Sequence, residues 1–441
     1  MPAHWGVEKL KFIARAQFSN VDKKTEDGEQ PVRLCNYVDV YYHARITADI
    51  DFMEATAEPR EVAKFQLQPG DVLITKDSED PNDICVPAVV AEPLPGVLCG
   101  YHLAQVRPDP ARTHGPYLMY AFASSGIRDQ FRMRANGITR FGLSQDDICS
   151  ALFPLPPRPE QEAIAAWLDE RTRRIDELVA AKRRLIALLA EHRTALITHA
   201  VTNGLNPAAA LKPSGIDWLG DVPRHWAVAP MYARYSVELG KMLDAKQITG
   251  EHLVPYIRNV DVRWDSVNVD DLPEMDIEPH EYHRFILQSG DMVACEGGEV
   301  GRAAFWRGEL DQCAYQKAIH RIRPLKPAQD YPRFLYYVMY TGSKCGVFIA
   351  GGNPNTIPHL TGEALRVYRF AFPPIDEQRA IVTHLDAASA KLDALTAATE
   401  NAIAHLTEYR QALISAAVTG KINIFAGESA HARGMEARHS P

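Results

Sequence analysis

The sequence predicts an α+β protein in which two mixed α/β domains alternate with two long helices that form an antiparallel coiled coil. Three observations predict this fold class: one segment occurs twice, each copy has an uninterrupted helical pattern, and short apolar runs with turn residues precede each copy. We expect a pseudo-twofold duplication with domains at residues 1–153 and 206–372, helices at residues 154–205 and 373–425, and a disordered tail at residues 426–441.

The repeated segment recurs at a constant spacing of 217 positions (378 minus 161). The matching words are Pro156-Pro157 with Pro373-Pro374, Glu160-Gln161 with Glu377-Gln378, Arg193 with Arg410, and Ala200-Val201-Thr202 with Ala417-Val418-Thr419. This spacing is close to half of the 441 residues and far exceeds the 20–50 residues of a solenoid unit. The whole chain is therefore predicted to be a duplication.

The repeated segments read as long helices. Between Glu160 and Thr202 no Pro or Gly interrupts the chain, and apolar residues step by three and four, as in a coiled-coil seam. The apolar seam positions of the first copy are Leu168, Ile175, Leu178, Leu185, Leu189 and Leu196, and Arg171, Lys182 and His192 occupy the rest of that seam. The second seam consists of Leu385, Ala388, Leu392, Leu395, Thr399, Ala402, Leu406, Tyr409, Leu413 and Ala416. Because a compact domain between them can reverse the chain, an antiparallel pair is favoured. The alternatives are that each helix packs on its own domain or mediates dimerisation between chains.

The two domains share anchor motifs in the same order. Short apolar runs at residues 71–75, 87–91 and 96–99 read as strands of the first domain. The shared motifs are Phe65-Gln-Leu-Gln-Pro-Gly-Asp71 with Phe285-Ile-Leu-Gln-Ser-Gly-Asp291, Val106-Arg-Pro108 with Ile322-Arg-Pro324, and Tyr117-Leu-Met-Tyr120 with Phe334-Leu-Tyr-Tyr337. The duplication therefore includes the domains as well as the helices.

The domains diverge between these anchors. After the shared Gly-Asp, the first copy continues with an acidic segment that follows Lys76, whereas the second contains the glycine-rich Glu296-Gly-Gly-Glu-Val-Gly-Arg302. A kept scaffold with different loops favours two binding sites for different targets, and loop drift after duplication is the alternative. The glycine-rich segment reads as a tight loop that approaches a partner or as a plain hairpin turn.

Local charge favours a phosphate-rich partner although the formal net charge is −8. The first domain carries four arginines between Gly126 and Phe141, interleaved with aromatic residues, and this pattern suits a nucleic-acid groove. The candidate DNA-binding residues are Lys76, Arg128, Arg132, Arg134, Arg140, Glu296, Arg302, Lys317 and Asn353. Alternatively, many of these cations form surface ion pairs, and the two Arg-Pro words mark strand ends.

Composition and motifs, together with the architecture, favour a binding protein over other classes. No catalytic, nucleotide-binding or zinc motif occurs, and Asn353-Pro-Asn-Thr356 lacks the second proline and the aromatic residue of the amino-methyltransferase motif. The seven cysteines are scattered, no apolar stretch is long enough to span a membrane, and the first residues lack a secretory pattern. We therefore expect a cytoplasmic binding protein without cofactor, metal, catalytic residues or membrane contact.

Taken together, the chain resembles the specificity (S) subunit of type I restriction–modification enzymes. The most specific words are Pro156-Pro-Arg-Pro-Glu-Gln161, Pro373-Pro-Ile-Asp-Glu-Gln378, Gly215-Ile-Asp-Trp-Leu-Gly-Asp-Val-Pro223, Cys295-Glu-Gly-Gly-Glu-Val-Gly-Arg302 with Ala314-Tyr-Gln-Lys-Ala-Ile-His320, and Arg410-Gln-Ala-Leu-Ile-Ser-Ala-Ala-Val-Thr-Gly-Lys421. The resemblance covers nearly the whole chain, except the tail. The first domain departs from it by lacking the Cys-Glu-Gly-Gly word, which weakens any equivalence of Lys76 with Glu296.

The resemblance implies a non-catalytic subunit. Each domain would be a target recognition domain that reads one half of a bipartite DNA sequence, and the paired helices would set the gap between the halves. Two methyltransferase (M) subunits and the restriction (R) translocase/nuclease subunits would be the protein partners. The residues expected to dock the partners are Glu160, Gln161, Arg193, Glu377, Gln378 and Arg410. The rival functions are a specificity subunit of a methylation-only complex, a coiled-coil scaffold without DNA contact, and a methyltransferase with a degenerate motif.

Overall fold

The structure is a computed structural model that describes residues 1–243, 249–349 and 359–424. It divides into a first unit, Met1–Arg183 with Glu400–Pro441, and a second unit, Arg184–Thr399. Each of the two long helices is divided between the units and contributes one segment to each of them. The helices are α1 Tyr37–Tyr42, α2 Pro59–Phe65, α3 Gly115–Ala123, α4 Ser125–Arg132, α5 Gln145–Cys149, α6 Arg158–Asn203, α7 Tyr282–Phe285, α8 Pro332–Lys344, α9 Gly362–Val367 and α10 Ile375–Val418.

The first unit is built on a five-stranded sheet with the order β2-β10-β6-β8-β4 and a three-stranded sheet with the order β5-β3-β9. Two smaller pairs, β1-β12 and β11-β7, complete it. The strands are β1 Gly6–Lys9, β2 Ala14–Phe18, β3 Gln30–Cys35, β4 Arg45–Ile46, β5 Met53–Ala57, β6 Val72–Thr75, β7 Asp77–Ser78, β8 Pro87–Val90, β9 Val97–Cys99, β10 Leu103–Pro108, β11 Phe141–Gly142 and β12 Leu152–Leu155. The three runs predicted as strands are confirmed as β6, β8 and β9.

The second unit has a four-stranded sheet with the order β16-β24-β21-β22 and a three-stranded sheet with the order β20-β17-β23. Three pairs, β13-β14, β15-β25 and β18-β19, accompany them. The strands are β13 Leu211–Pro213, β14 Asp221–Pro223, β15 Ala227–Pro230, β16 Tyr235–Leu239, β17 Leu253–Ile257, β18 Val262–Arg263, β19 Ser266–Val267, β20 Glu274–Asp276, β21 Met292–Cys295, β22 Ala303–Phe305, β23 Ala314–Tyr315, β24 Ile319–Pro324 and β25 Arg369–Phe372.

The two units repeat one topology. The order β2-β10-β6-β8 corresponds to β16-β24-β21-β22, and β5-β3-β9 corresponds to β20-β17-β23. In each three-stranded sheet the central strand pairs parallel with one neighbour and antiparallel with the other. The predicted fold class, two mixed domains accompanied by long helices, is confirmed.

Each unit contains an antiparallel helix pair. In the first unit Ile175, near the start of α6, shares a core with Leu413 and Ile414, near the end of α10. In the second unit Ile197, near the end of α6, shares a core with Leu385, near the start of α10. Since the start of one helix meets the end of the other in both units, the predicted antiparallel pairing is confirmed.

The apolar seam is less continuous than its spacing predicts. Leu168 and Ile175 are buried in the core of the first unit, whereas Leu178, Leu185 and Leu395 are exposed. The buried part of each helix packs on the domain beside it as well as on the other helix, so the intrachain pair and packing on the domain occur together. Farther from a domain, a seam position has one helix as its neighbour and stays partly in water.

Candidate functional site

Two buried glutamines hold the starts of the long helices. Gln161 donates from Nε2 to the carbonyl oxygens of Arg112 (2.9 Å) and Pro156 (2.9 Å), and its Oε1 accepts the backbone N–H of His114 at 2.8 Å. Its repeat equivalent Gln378 makes the same three bonds, to the carbonyls of Gln329 (3.0 Å) and Pro373 (2.9 Å) and from the N–H of Tyr331 (2.7 Å). Both side chains are fully buried, and they join each helix to its own domain. Their role in docking a partner stays a prediction.

The neighbouring glutamates are also used inside the chain. Glu160 accepts hydrogen bonds from the His4 ring (2.8 Å) and the Trp5 indole (2.9 Å), and Glu377 accepts one from the His225 ring at 2.7 Å. The repeated Glu-Gln motifs at residues 160–161 and 377–378 therefore have an intramolecular role. Arg193 and Arg410 likewise bind groups of the opposite long helix, Arg193 the carbonyl of Ser389 (3.3 Å) and Asp393, and Arg410 Asp176.

A tyrosine–aspartate contact repeats behind each helix start. Tyr120 donates to Asp169 at 2.7 Å, and Tyr337 donates to Asp386 at 2.6 Å. Burial raises the pKa of both phenols well above the ordinary range, so both stay protonated as donors. The partner cation of the aspartate differs: Arg45 of β4 pairs with Asp169, whereas Arg333 of α8 pairs with Asp386.

A second repeated element is an ion pair inside each domain. Arg107 donates from Nε and Nη2 to buried Asp71, both at 2.8 Å, and Arg323 donates from Nη2 to buried Asp291 at 2.7 Å. The hydrogen bonds to the carboxylate raise the pKa of each guanidinium. The Arg-Pro words are therefore scaffold residues at strand ends, as the alternative interpretation held, and they are unsuited to contacting a partner.

The basic candidates of the first domain meet around the segment 76–83. Arg128 donates to the carbonyl of Asn82 at 2.9 Å, and Arg132 lies 3.4 Å from the Asn82 side chain and 3.4 Å from Asp129. Arg140 donates to Asp77 from Nη2 at 2.6 Å. The structure thus brings three of the four predicted arginines to one surface, where two of them, Arg132 and Arg140, are exposed.

A cleft of about 510 Å³ opens beside this surface. Tyr37 and Tyr41 stack at 5.6 Å on one side, and the carboxylates of residues 77–83 with His102 and Arg140 form the other. A hydrogen bond from the Tyr41 hydroxyl to Asp83 at 2.6 Å raises the pKa of that phenol to about 12. The cleft is therefore lined by both hydrogen-bond donors and hydrogen-bond acceptors.

Two candidates of the first domain have internal contacts. Arg134 donates from Nη1 to the carbonyl of Asp147 (2.8 Å) and to Ser150 (2.9 Å), and it fastens α5 to the end of α4. Lys76 is half-buried, with Nζ at 5.0 Å from the Phe18 ring and 4.7 Å from the Tyr101 ring. Burial lowers the pKa of Lys76. The Arg134 guanidinium braces the domain, and its contact with DNA stays a prediction.

The glycine-rich segment of the second domain is the hairpin loop between β21 and β22. Asn259 donates to the carbonyl of Gly297 at 3.0 Å, and Arg302 donates from Nη2 to the carbonyl and the side-chain oxygens of Asn259, both at 2.9 Å. Gly301 has φ +78°, and a Cβ there would lie 2.6 Å from the Phe348 ring. Arg302 thus stabilises a preformed loop, and its contact with DNA stays a prediction.

Two candidates remain at the edge of that loop. The backbone N–H of Glu296 bonds to the carbonyl of Ala318 at 2.9 Å, which places Glu296 next to exposed Lys317. The Lys317 ammonium lies 3.9 Å from the sulfur of Met242. Asn353 lies outside the described residues.

The 217-position shift relates Tyr120 to Tyr337, as the shared motifs showed, and it also relates Asp169 to Asp386 and Asp176 to Asp393 (393 minus 176, for example). Sequence reasoning missed the contacts that these residues make. What the shift alone does not state is which aspartate each arginine or tyrosine contacts, because those partners are distant in sequence.

The described residues offer neither a helix that could span a membrane nor a cluster that could hold a metal ion. None of the described helices combines the length and apolar composition that crossing a bilayer requires. Among residues 1–243, 249–349 and 359–424, no cluster of His, Cys, Asp and Glu has three members arranged to hold a metal ion.

Known sequences match this chain over most of its length. The family described as the type I restriction modification DNA specificity domain matches residues 236–405. The putative type I restriction enzyme MjaX specificity subunit of Methanocaldococcus jannaschii is 22% identical over 438 residues, which cover 96% of this chain and 95% of that protein. The EcoKI specificity subunit of Escherichia coli K12 is 20% identical over 365 residues, which cover 81% of this chain and 76% of that protein.

Solved structures share the fold. A chain from work on complex assembly and conformational transition of the type I R-M system superposes with a TM-score of 0.73 at 17% identity, covering 95% of this chain and 98% of that one. The HsdS subunit of Thermoanaerobacter tengcongensis gives a TM-score of 0.55 at 18% identity, covering 96% and 98%. At these identities the structural likeness establishes the arrangement of the elements.

Proposed function

We propose that this chain belongs to the specificity-subunit family of type I restriction–modification enzymes and that each of its two domains reads one half of a bipartite DNA target. Its role in that family is DNA sequence specificity, and it is a non-catalytic subunit. The observation that carries the bipartite proposal is one topology present twice, with the same internal ion pairs and different surface loops. A shared scaffold with unlike loops suits two different half-sites.

Two different surfaces would read the two half-sites. In the first domain it is the surface around residues 76–83 with Arg132 and Arg140, and in the second it is the β21–β22 loop with Glu296 and Lys317. Arginine and lysine suit phosphates and guanine edges, and glutamate accepts a hydrogen bond from the cytosine amino group. Asn353 remains a proposed contact of the second domain.

The proposal is tested by sequencing the methylated genome of a host that carries this chain with its methyltransferase subunit. We expect a split adenine motif, and Arg132→Ala should relax one half of it and leave the other half unchanged. Arg134→Ala is the matched control, because that arginine faces inward and its loss should affect stability instead of the motif. A scaffold without DNA contact would leave no split motif, and a methylation-only complex would give the motif without cleavage.

The paired helices are proposed to set the gap between the half-sites. Seven residues inserted after Leu188 in α6 and after Ala397 in α10 add one heptad to each helix and keep the seam in phase. Each insertion lengthens a helix by about 10 Å, which corresponds to roughly three base pairs of duplex. Both half-sites should stay unchanged while the gap grows by about three positions. An unchanged gap would contradict the spacer role.

Two methyltransferase subunits are proposed to dock on repeat-equivalent patches of the helices. Leu178 and Leu395 are separated by 217 positions (395 minus 178), and each is 46% exposed. Two equal apolar positions suit two copies of one partner. Arg410 lies in the same unit as Leu178, and Arg193 in the same unit as Leu395. Restriction subunits are proposed to join the complex after the methyltransferase subunits.

The stoichiometry of the purified complex tests this docking. Leu178→Asp and Leu395→Asp should each lower the number of bound methyltransferase subunits from two to one, as measured by light scattering. Leu325→Asp is the control, because Leu325 is 54% exposed but lies off the long helices. Full occupancy in both helix variants would contradict docking at these positions.

A further inference from the structure

A tight turn of the first unit projects an apolar side chain into solvent. The turn follows α4 and is closed at its base by hydrogen bonds between the backbones of Asn136 and Gly142, at 3.1 and 2.9 Å. Gly137 is required for this closure, because a Cβ there would lie 1.9 Å from the carbonyl oxygen of Arg140. Ile138 and Thr139 therefore form the tip of a preformed turn.

The tip leaves apolar surface in water. The Ile138 side chain is 96% exposed, and Met133 at the entrance of the same turn is 83% exposed. One exposed apolar residue on a protein surface needs no explanation, but here two occur within six positions on a turn that carries arginines on both sides.

Those arginines are available to a partner. Arg132 and Arg140 are exposed. Arg132 pairs with exposed Asp129 (3.4 Å), and Arg140 reaches from solvent to the more buried Asp77 (2.6 Å). An ion pair exposed on both sides is weak, so a phosphate can replace Asp129 at little cost. The surface thus combines an apolar tip with cations on either side.

From this arrangement we infer that Ile138 makes an apolar contact with the bases of the half-site read by the first domain. The flanking arginines would hold the phosphates on both sides of the turn, and the rigid tip would carry the isoleucine into a groove. Isoleucine and methionine are side chains that insert between base steps, and an aliphatic group also recognises the C5-methyl of thymine. The inference rests on the proposed function, since it assigns a specificity residue within it.

The test uses the complex of the full chain with its methyltransferase subunits and a duplex that carries the split motif found by methylome sequencing. Ile138→Ala should weaken binding to this duplex about ten-fold, as measured by fluorescence anisotropy. The loss should disappear when one half-site is scrambled and persist when the other is scrambled. Val367→Ala is the matched control, because Val367 is an exposed apolar residue of the second unit (63%) and should bind as the wild type does.

Two further duplexes identify the contact. Replacing thymine with deoxyuridine removes the methyl group, and 2-aminopurine reports loss of stacking. A wild-type loss on deoxyuridine that Ile138→Ala no longer shows assigns the methyl contact. A wild-type 2-aminopurine signal that Ile138→Ala abolishes assigns insertion between bases.

Two outcomes overturn the inference and separate it from the proposed function. If the wild type prefers the split duplex but Ile138→Ala binds within two-fold of it, the residue is not a specificity determinant and the proposed function stands. An equal loss on the intact and both scrambled duplexes would likewise show that Ile138 acts on general affinity. If the wild type has no preference for the split duplex, the proposed function fails and the inference fails with it.

Discussion

Arg410 of α10 donates two hydrogen bonds to Asp176 of α6, from Nε at 2.8 Å and from Nη2 at 3.1 Å. The second unit contains the repeat-equivalent pair with the helices exchanged, Arg193 of α6 with Asp393 of α10. In both pairs the two residue numbers add up to 586. Within each unit the helix pair therefore has the same register, marked by an arginine on one helix and an aspartate on the other.

We expect these pairs to specify register more than stability. Arg410→Asp places two carboxylates together and should lower the free energy of unfolding by about 1 kcal/mol, since the pair is partly exposed. The double variant Asp176→Arg with Arg410→Asp should recover most of that loss, as chemical denaturation of the four variants would show. Arg184→Asp, at an exposed position of α6, is the control. A double variant as unstable as the sum of the single variants would contradict a direct pair.

The buried glutamines Gln161 and Gln378 should contribute more to the free energy of unfolding than these arginine–aspartate pairs. Gln161→Ala leaves two carbonyls and one N–H without their partner, so we expect the first unit to lose about 2–3 kcal/mol of unfolding free energy. Thermal unfolding of the full chain measures this, and Gln378→Ala should act equally on the second unit. Exposed Gln68→Ala is the control. A loss no larger than that of the control would show that the three bonds are replaced by water.

Gly420, two residues after the end of α10, has a left-handed backbone conformation. Its φ is +66°, and a Cβ would lie 2.2 Å from the ring of Pro2 and 3.1 Å from Trp5. We expect Gly420→Ala to cost about 2 kcal/mol or more, from backbone strain and from displacement of the N-terminal residues. Urea titration of both variants measures this. Gly126→Ala in α4, where a Cβ meets nothing within 4 Å, should not lower the free energy of unfolding. Equal effects of both substitutions would refute the steric argument.

His320 should make the second unit acid-sensitive. The ring is buried, donates from Nε2 to the carbonyl of Leu360 at 2.7 Å, and burial lowers its pKa. Because the folded pKa lies below the unfolded one, the stabilisation by the neutral ring is fully present above about pH 6.5 and is lost as the pH falls toward the folded pKa.

The variant His320→Gln tests this. Glutamine can keep the donor to Leu360 and does not titrate, so its melting temperature should fall less than that of the wild type between pH 7.5 and pH 5.5. His283→Gln, at an exposed position, should retain the wild-type dependence of the melting temperature on pH. If His320→Gln keeps that dependence too, the acid sensitivity arises elsewhere.

The sequence by itself determined the duplication, the two long helices and several strands. Helix and strand periodicity are local properties, and the 217-residue shift needs nothing beyond the chain, so α6, α10, β6, β8 and β9 were predictable. The same local reasoning overestimated the seam. Leu178 has the spacing of a buried position, but its exposure depends on which neighbours reach it.

The tertiary structure decided which charged and polar side chains face inward. Arg134 and Arg302 look like Arg132 and Arg140 in sequence. In the fold, however, Arg134 donates to Asp147 and Arg302 donates to Asn259, residues that folding brings close to them. Gln161 was predicted to face a partner, and in the fold it closes its own domain. A residue's availability depends on long-range contacts, and no local pattern encodes the distance to a group that folding brings near.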